Sequence, residues 1–271
     1  MRPSQERTRL EAMQQHQVRD DSLRLALAPG VPLELVHIPA GEFLMGSSAA
    51  DQDAYDDETP QRHVPLPDYW IGRFPVTVLQ FDVFVRAMNI HTNMTPGEVY
   101  QRANHPVTLV SWDDAMSFCK WLSRLAGRAI RLPNEAEWEK AARGTDGRLW
   151  PWGNEVPDVE RSNFAKRGRG TTPAGMFSPR GDSPYGCADM AGNVWEWTNS
   201  LIKPYPYRAE DGREEPGDLG MRVLRCGSFL CKPNRIRCAA RLRQPPNNRY
   251  EPDIGFRICV PGTVGAKSLD K

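Results

Sequence analysis

Three of the six cysteines fall in one short stretch, "RCGSFLCKPNRIRCAAR", at Cys226, Cys231 and Cys238. A thiol there is either a reactive group, working as its thiolate, or one position on a surface. The remaining cysteines, Cys119, Cys187 and Cys259, are scattered, and the six together form neither a CxxC pair nor a disulfide framework. They read as reduced, mostly buried thiols. Of the five histidines, His16, His37, His63, His91 and His105, no two stand at i, i+4. A 2-His-1-carboxylate iron site is therefore unsupported. Nor is there a Ser-His-Asp arrangement, a phosphate-cradling glycine loop or a zinc motif. The acidic run "DQDAYDDE" (Asp51 to Glu58) has no ordered ligand spacing and reads as a solvated loop.

The same stretch is rich in cations. From Arg222 to Val260 there are eight arginines and Lys232 against Glu251 and Asp253. Such a balance suits an acidic partner. Nucleic acid is disfavoured, because aromatic interleaving stops at Phe229 and Tyr250. Arg225, Arg237, Arg241 and Arg257 are expected to pair with carboxylates inside the fold. The whole 271-residue chain has a net charge of only +1, which makes no demand for nucleic acid or membrane. No apolar run approaches the roughly 18 residues of a membrane span, so no membrane insertion is expected. The polar start, Met1 to Asp21, does not read as a secretory signal, which implies cytoplasmic synthesis and leaves later display on a surface or particle open. Twenty-eight arginines against 7 lysines, with 24 prolines, suit either a GC-rich or a heat-adapted, thermostable source.

The elements that must position these groups are short. Residues 1–30 read as a helical N-terminal extension ending at Pro29-Gly30, followed by one domain over 31–260 and a tail over 261–271. "LELVHIPAGEFLMGS" reads as a hairpin-like pair of strands around Pro39 to Gly41. "VTVLQFDVFVRAM" places Val78, Phe81, Val85 and Met88 on one helical face. "SWDDAMSFCKWLSRLAG" does the same with Ala115, Phe118, Cys119, Leu122 and Leu125, between an N-cap at Ser111 and a stop at Gly127. "LPNEAEWEKAARG" is a third helix, capped by Asn134 and ended by Gly144. The next 75 or so residues show little periodicity. Trp150, Trp152, Trp195 and Trp197 are placed to cover that loop-rich stretch, each able to bond a backbone carbonyl through its indole N–H. The expected class is α+β, with a small twisted antiparallel sheet, a few helices and high loop content.

The motifs "LVHIPAGEFLMGS", "HPVTLVSWDDAMSFCKWLS", "RLPNEAEWEKAARG", "PWGNE", "YGCADMAGNVWEWT", "RVLRCGSF", "RCAAR" and "DIGFRICV" come in an order that resembles the sulfatase-modifying-factor family. The resemblance runs from about Leu33 to Val260 and implies the C-type-lectin fold of the formylglycine-generating-enzyme type. That scaffold hosts several functions, so the site must choose among them. The copper oxidases that make formylglycine carry two cysteines five residues apart just after a "GGSY" turn, and soft sulfur ligands suit Cu(I). Here Cys231 matches the first, Ile236 stands at the second, Cys238 lies at +7, and Cys226 replaces a customary glycine at −5. The family's iron-dependent sulfoxide synthases add a histidine-bearing helical domain for which the N-terminal stretch is too short.

The resemblance is closest in character to retroelement-diversified variable proteins, whose C-terminal segment (here 222–260) is rewritten to change the ligand. It implies ligand-binding positions at Leu230, Cys231, Asn234, Arg235, Leu242, Arg243, Asn247, Asn248 and Tyr250, on a frame held by Ile236, Ala239 and Ala240. Adenine changes in AAC codons reach Leu, Cys, Arg, Tyr, Ile, Pro and Asn but not Lys, Gln or Glu, so Lys232, Gln244 and Glu251 would be fixed. Tyr and Arg suit interface anchors and Asn suits adaptable hydrogen bonds. On this reading the partner is an unknown protein or surface ligand, no residue is catalytic, and copper enters only with the oxidase alternative, through Cys231. The resemblance also implies a structural Ca²⁺ held by Asp189, the carbonyls of Gly192 and Val194, and Glu196, a hard oxygen set. Alternatively Asp189 and Glu196 bond backbone amides or arginines and pin the loop without metal. A second calcium site beginning at Asn163 lacks its aspartate and is expected to be lost.

Overall fold

The structure, a computed structural model, describes residues 22–91, 94–165, 170–215 and 217–262. Its first element is strand β1 (Ser22–Ala28), paired antiparallel with β2 (Val31–Ile38). This corrects the helical reading of residues 1–30 over its last stretch. Leu23, Leu25 and Leu27 alternate with period two, and the latter two are buried. Residues 1–21 and 263–271 lie outside the described residues. Pro261, assigned to the tail, instead closes β10 (Cys259–Pro261).

The expected hairpin is also corrected. Its two strands exist, but β2 pairs with β5 (Tyr69–Gly72), and β3 (Gly41–Met45) pairs with β4 (Arg62–Leu66). The first sheet has the order β1-β2-β5-β10, every pair antiparallel. A further four-stranded sheet runs β8 (Leu242–Gln244), β7 (Arg222–Arg225), β6 (Trp195–Leu201) and β9 (Ile254–Phe256). In it β6 and β9 are parallel.

Helices α1 (Val78–Ala87), α2 (Pro96–Gln101), α3 (Trp112–Ala126) and α4 (Glu135–Arg143) each begin with a reciprocal capping box. The cap residues are Thr77, Thr95, Ser111 and Asn134. In each, the side chain three residues on bonds back to the cap amide, satisfying two otherwise orphaned donors. Gly127 ends α3 in the left-handed conformation at φ 64°. Met88 and Leu125 were expected on buried faces but are 48% and 51% exposed. Met88 lies past the end of α1 and Leu125 in the last turn of α3, whereas Phe84 fills the core from α1. No helix among the described residues is long and apolar enough to cross a membrane.

The largest core cluster joins the first sheet, α1, α3 and the β7-β6-β9 strands through Leu35, Phe84, Phe118, Leu122, Trp197, Leu224 and Phe256, with Cys119 inside it. A second surrounds α4 and contains Trp138, Tyr69, Ile71, Cys187, Cys226, Cys238 and Cys259. A third consists of Trp150, Phe164, Ala191 and Ile236. All six cysteines are unpaired.

Between α4 and β6 the described residues form neither helix nor strand. One indole holds part of this stretch, as Trp152 Nε1 donates to the Glu155 carbonyl at 2.9 Å. The expected bond from the buried Trp150 Nε1 is not made among the described residues, and Trp197 Nε1, in β6, donates to the Val110 carbonyl at 2.9 Å. Buried arginines hold more. Glu135 is ion-paired with Arg213 (2.8 Å), Arg225 (3.1 Å) and Arg241 (3.0 Å). Arg257 grips Glu196 at 2.6 Å. The acidic loop is not simply solvated, because Asp51 and Glu58 are buried on Arg237 at 2.9 and 2.8 Å. Charges so deep in the protein are held as ion pairs, although the buried Nε atoms of Arg225 and Arg241 find no hydrogen-bond partner among the described residues.

Candidate functional site

Strand β7 delivers the chain into a tight turn at Cys226 and Gly227, both with positive φ (95° and 74°). A Cβ on Gly227 would lie 2.4 Å from the Arg235 carbonyl oxygen and 2.7 Å from the Ile236 side chain, so only glycine fits. The turn projects Ser228, whose Oγ donates to the buried Asp253 carboxylate at 2.5 Å and accepts from the Leu230 amide at 3.2 Å. Cys231 follows, half-buried, with its Sγ 3.5 Å from Ser228 Oγ. Its carbonyl accepts from the Ala165 amide at 2.7 Å.

A single 3-10 turn, Pro233–Arg235, then places Arg235 between two aromatic faces. The guanidinium carbon stands 4.6 Å from the Tyr55 ring centre and 5.8 Å from that of Trp195. Asn234 Nδ2 donates to the Tyr55 hydroxyl at 3.2 Å. Cation–π contact with two aromatic rings holds a guanidinium in place without using its N–H groups. Among the described residues no carboxylate pairs with Arg235 or Arg243. By contrast Arg225, Arg237, Arg241 and Arg257 all have carboxylate partners, as their expected interior role requires.

Leu242 to Tyr250 form the second part of the surface. β8 is an edge strand with Arg243 exposed. The loop after it is fastened where the Trp112 amide donates to the Pro246 carbonyl at 2.9 Å and Arg249 meets Asp114 at 3.4 Å. Asn247 and Tyr250 are exposed, Tyr250 by 82%, and Asn248 is half-buried. Asp253 joins the two parts, holding Ser228 through its carboxylate and the Trp195 amide through its carbonyl at 2.8 Å. All nine expected ligand-binding positions are exposed or half-buried, while Ile236, Ala239 and Ala240 are fully buried. Tyr55, Trp195, Ser228 and Asp253 were missed as site residues. Tyr55 stands in an acidic run 180 residues before Arg235 and carries no local signal of its role.

The thiols do not assemble a soft-metal site. Ile236, five residues after Cys231, is buried against Trp150, Phe164 and Ala191. Cys226 and Cys238 lie in the second cluster, fully buried. Burial pushes the Cys238 thiol up to about 12, and that of Cys226 well above its ordinary range. Two-thiolate copper binding does not fit this donor set.

Three of the four expected calcium donors, Glu196, Asp189 and the Gly192 carbonyl, are engaged elsewhere, so the set does not fit that ion. Both Glu196 oxygens are occupied, Oε2 by Arg257 Nε (2.6 Å) and Trp138 Nε1 (2.7 Å), Oε1 by Arg257 Nη2 (2.7 Å). Asp189 accepts from the Gly175 amide at 2.7 Å, and burial raises its carboxyl to about 6. The Gly192 carbonyl accepts from the Cys226 thiol at 3.0 Å. Among the described residues no cluster of His, Cys, Asp and Glu is arranged to hold a metal.

Residues 29–261 match the sulfatase-modifying factor enzyme 1-like domain. The chain is 32% identical to the formylglycine-generating enzyme of Thermomonospora curvata, over 83% of this chain and 93% of that protein. It is 30% identical to the mouse protein described as inactive C-alpha-formylglycine-generating enzyme 2, over 86% of this chain and 88% of that one. Variable protein 1 of Treponema denticola superposes with a TM-score of 0.72 at 23% identity, over 89% of this chain and 99% of that structure, a likeness of fold. With a matched family model over most of its length and relatives covered nearly end to end, this chain belongs to the sulfatase-modifying factor enzyme 1-like family and has its C-type-lectin fold.

Proposed function

We propose that this chain is a non-catalytic ligand-binding protein, presenting residues 228–250 as a recognition surface on the family's scaffold. The observation that carries this reading is Ile236: a fully buried aliphatic side chain stands where the oxidase pattern needs its second thiol. A lone half-buried Cys231 lacks the pair that holds Cu(I). That the family includes a mammalian member described as inactive supports the possibility of keeping the fold without the chemistry.

The division of exposure supports display as well. Leu230, Asn234, Arg235, Leu242, Arg243, Asn247, Asn248 and Tyr250 reach solvent to differing degrees above a buried frame. Side chains in such places can change without disturbing the core. Arg235, held between Tyr55 and Trp195, and the open Tyr250 are the anchors, of the types that dominate binding hot spots. The partner on this reading is a protein or surface ligand. The six unpaired cysteines suit synthesis in the cytoplasm.

Retroelement diversification makes a prediction about DNA. Sequencing beside the gene is expected to reveal a near-copy of the region coding for Arg222 to Val260, differing where the copy carries adenine, with a reverse-transcriptase frame nearby. Absence of that copy would remove diversification and leave a binding surface of fixed sequence. The oxidase alternative stands or falls on copper-dependent turnover through Cys231.

A further inference from the structure

The loop from Ala188 to Glu196 is buried at every residue, so each backbone carbonyl in it needs a donor. Several of these donors come from side chains. Arg257 Nη2 donates to the Ala188 carbonyl at 3.1 Å, and Ser162 Oγ donates to that of Ala191. The Cys226 thiol lies 3.1 Å from the Asp189 carbonyl oxygen and 3.0 Å from that of Gly192, its one proton shared between them. In return the Gly192 amide donates to the Cys226 carbonyl at 3.0 Å.

Cys226 does this from φ 95°, a conformation that favours glycine and strains any other residue. A strained side chain is held in such a place when its own contacts compensate, and the contacts of this one are two carbonyls of the loop. One of them, Gly192, is a carbonyl that a calcium ion would need. At the other end of the loop the guanidinium of Arg257 fills the space before Glu196 with a positive charge, bonded to both carboxylate oxygens. A divalent ion there would have to displace a fixed cation from a fully buried carboxylate.

We infer that the Ala188–Glu196 loop is fastened without calcium, by the thiol of Cys226 and the guanidinium of Arg257 acting where the ion would. The inference concerns how the scaffold is held and is independent of what its surface binds. Cys226 is then a structural thiol, protected in the folded protein, and distinct in role from the half-buried Cys231.

The test uses the full chain and needs no ligand. Thermal melts followed by circular dichroism are expected to coincide in excess EGTA and in millimolar calcium chloride, and calorimetric titration with calcium is expected to give no saturable heat. A rise of several degrees with calcium, or one ion bound per chain, would overturn the inference. Substitution tests the thiol separately. Cys226→Ala keeps the strain and loses the donor, so its melting temperature is expected to fall by roughly 5 °C. Cys226→Ser keeps a donor and is expected to retain more of it. Cys226→Gly sets strain relief against the lost bonds, and a melting temperature above that of the wild type would show that the thiol contributes only strain. If the alanine variant fails to fold, the wild-type calcium and EGTA comparison decides the matter alone.

Discussion

Arginine does two different jobs in this protein, and the contrast separates its interior from its surface. Arg225, Arg237, Arg241 and Arg257 are all but inaccessible, each in contact with a buried carboxylate. Arg235 and Arg243 come from the same short segment, yet have no carboxylate among the described residues. One set locks a loop-rich fold in which regular backbone pairing is scarce. The other carries no carboxylate pairing among the described residues and, on the proposed function, serves the recognition surface. Position along the segment decides which is which: Arg237 and Arg241 stand within the continuous buried run from Ile236 to Arg241, while Arg235 and Arg243 lie just outside it.

Five substitutions break or sharpen this contrast, from the largest effect to the smallest. Arg237→Ala leaves Glu58 charged and buried beside Ser47, so a loss of about 3–5 kcal/mol is expected in denaturant unfolding. A loss below about 1 kcal/mol would mean the interior arginines are dispensable.

Glu214 provides a pH test of the interior. Burial, helped by the nearby Glu135 charge and opposed in part by hydrogen bonds from Ser200, Tyr207 and Asn199, raises its carboxyl to about 7. A carboxyl raised in the folded state binds its proton more tightly there than in the unfolded chain. Its contribution therefore favours folding at low pH and is lost as pH rises from the ordinary glutamate range through about 7. Glu214→Gln is expected to flatten that decline by up to about 1.4 kcal/mol per pH unit, and identical slopes for both proteins would contradict the assignment.

Ile236→Cys addresses the missing thiol. Cys231 already packs against the cluster that contains Ile236. The variant is expected to lose about 1–2 kcal/mol from its smaller side chain and to gain Cu(I) binding that Cys231→Ser abolishes. Competition against a chromophoric Cu(I) chelator reads this directly. At the surface, Arg243→Ala and Tyr250→Ala are expected to stay within about 0.5 kcal/mol of wild-type stability. The same changes are expected to alter partner affinity tenfold or more once a ligand is in hand.

Legibility in the sequence followed the range of the interaction. Caps at Ser111 and Asn134 and the stops at Gly127 and Gly144 are local chemistry, and α3 and α4 begin and end there. The family motifs carried the fold over residues 29–261. The partner of β2 was not legible, because Pro39 to Gly41 turns the chain without saying which strand returns beside it. β1 was misread when its period-two leucines were pooled with the polar residues before them. On the surface, exposed and buried positions from Leu230 to Tyr250 separated as expected. The support under Arg235 did not, since Tyr55 and Trp195 meet it only through tertiary contact.

The central claim is that Cys231 belongs to a recognition surface and does no oxidative chemistry. The direct measurement is to load the purified full chain with Cu(I), add oxygen and a sulfatase-type peptide containing cysteine, and follow the peptide by mass spectrometry beside Cys231→Ser. The account predicts unchanged peptide and no difference between the two proteins. Formylglycine formed by the wild type and absent with Cys231→Ser would contradict it.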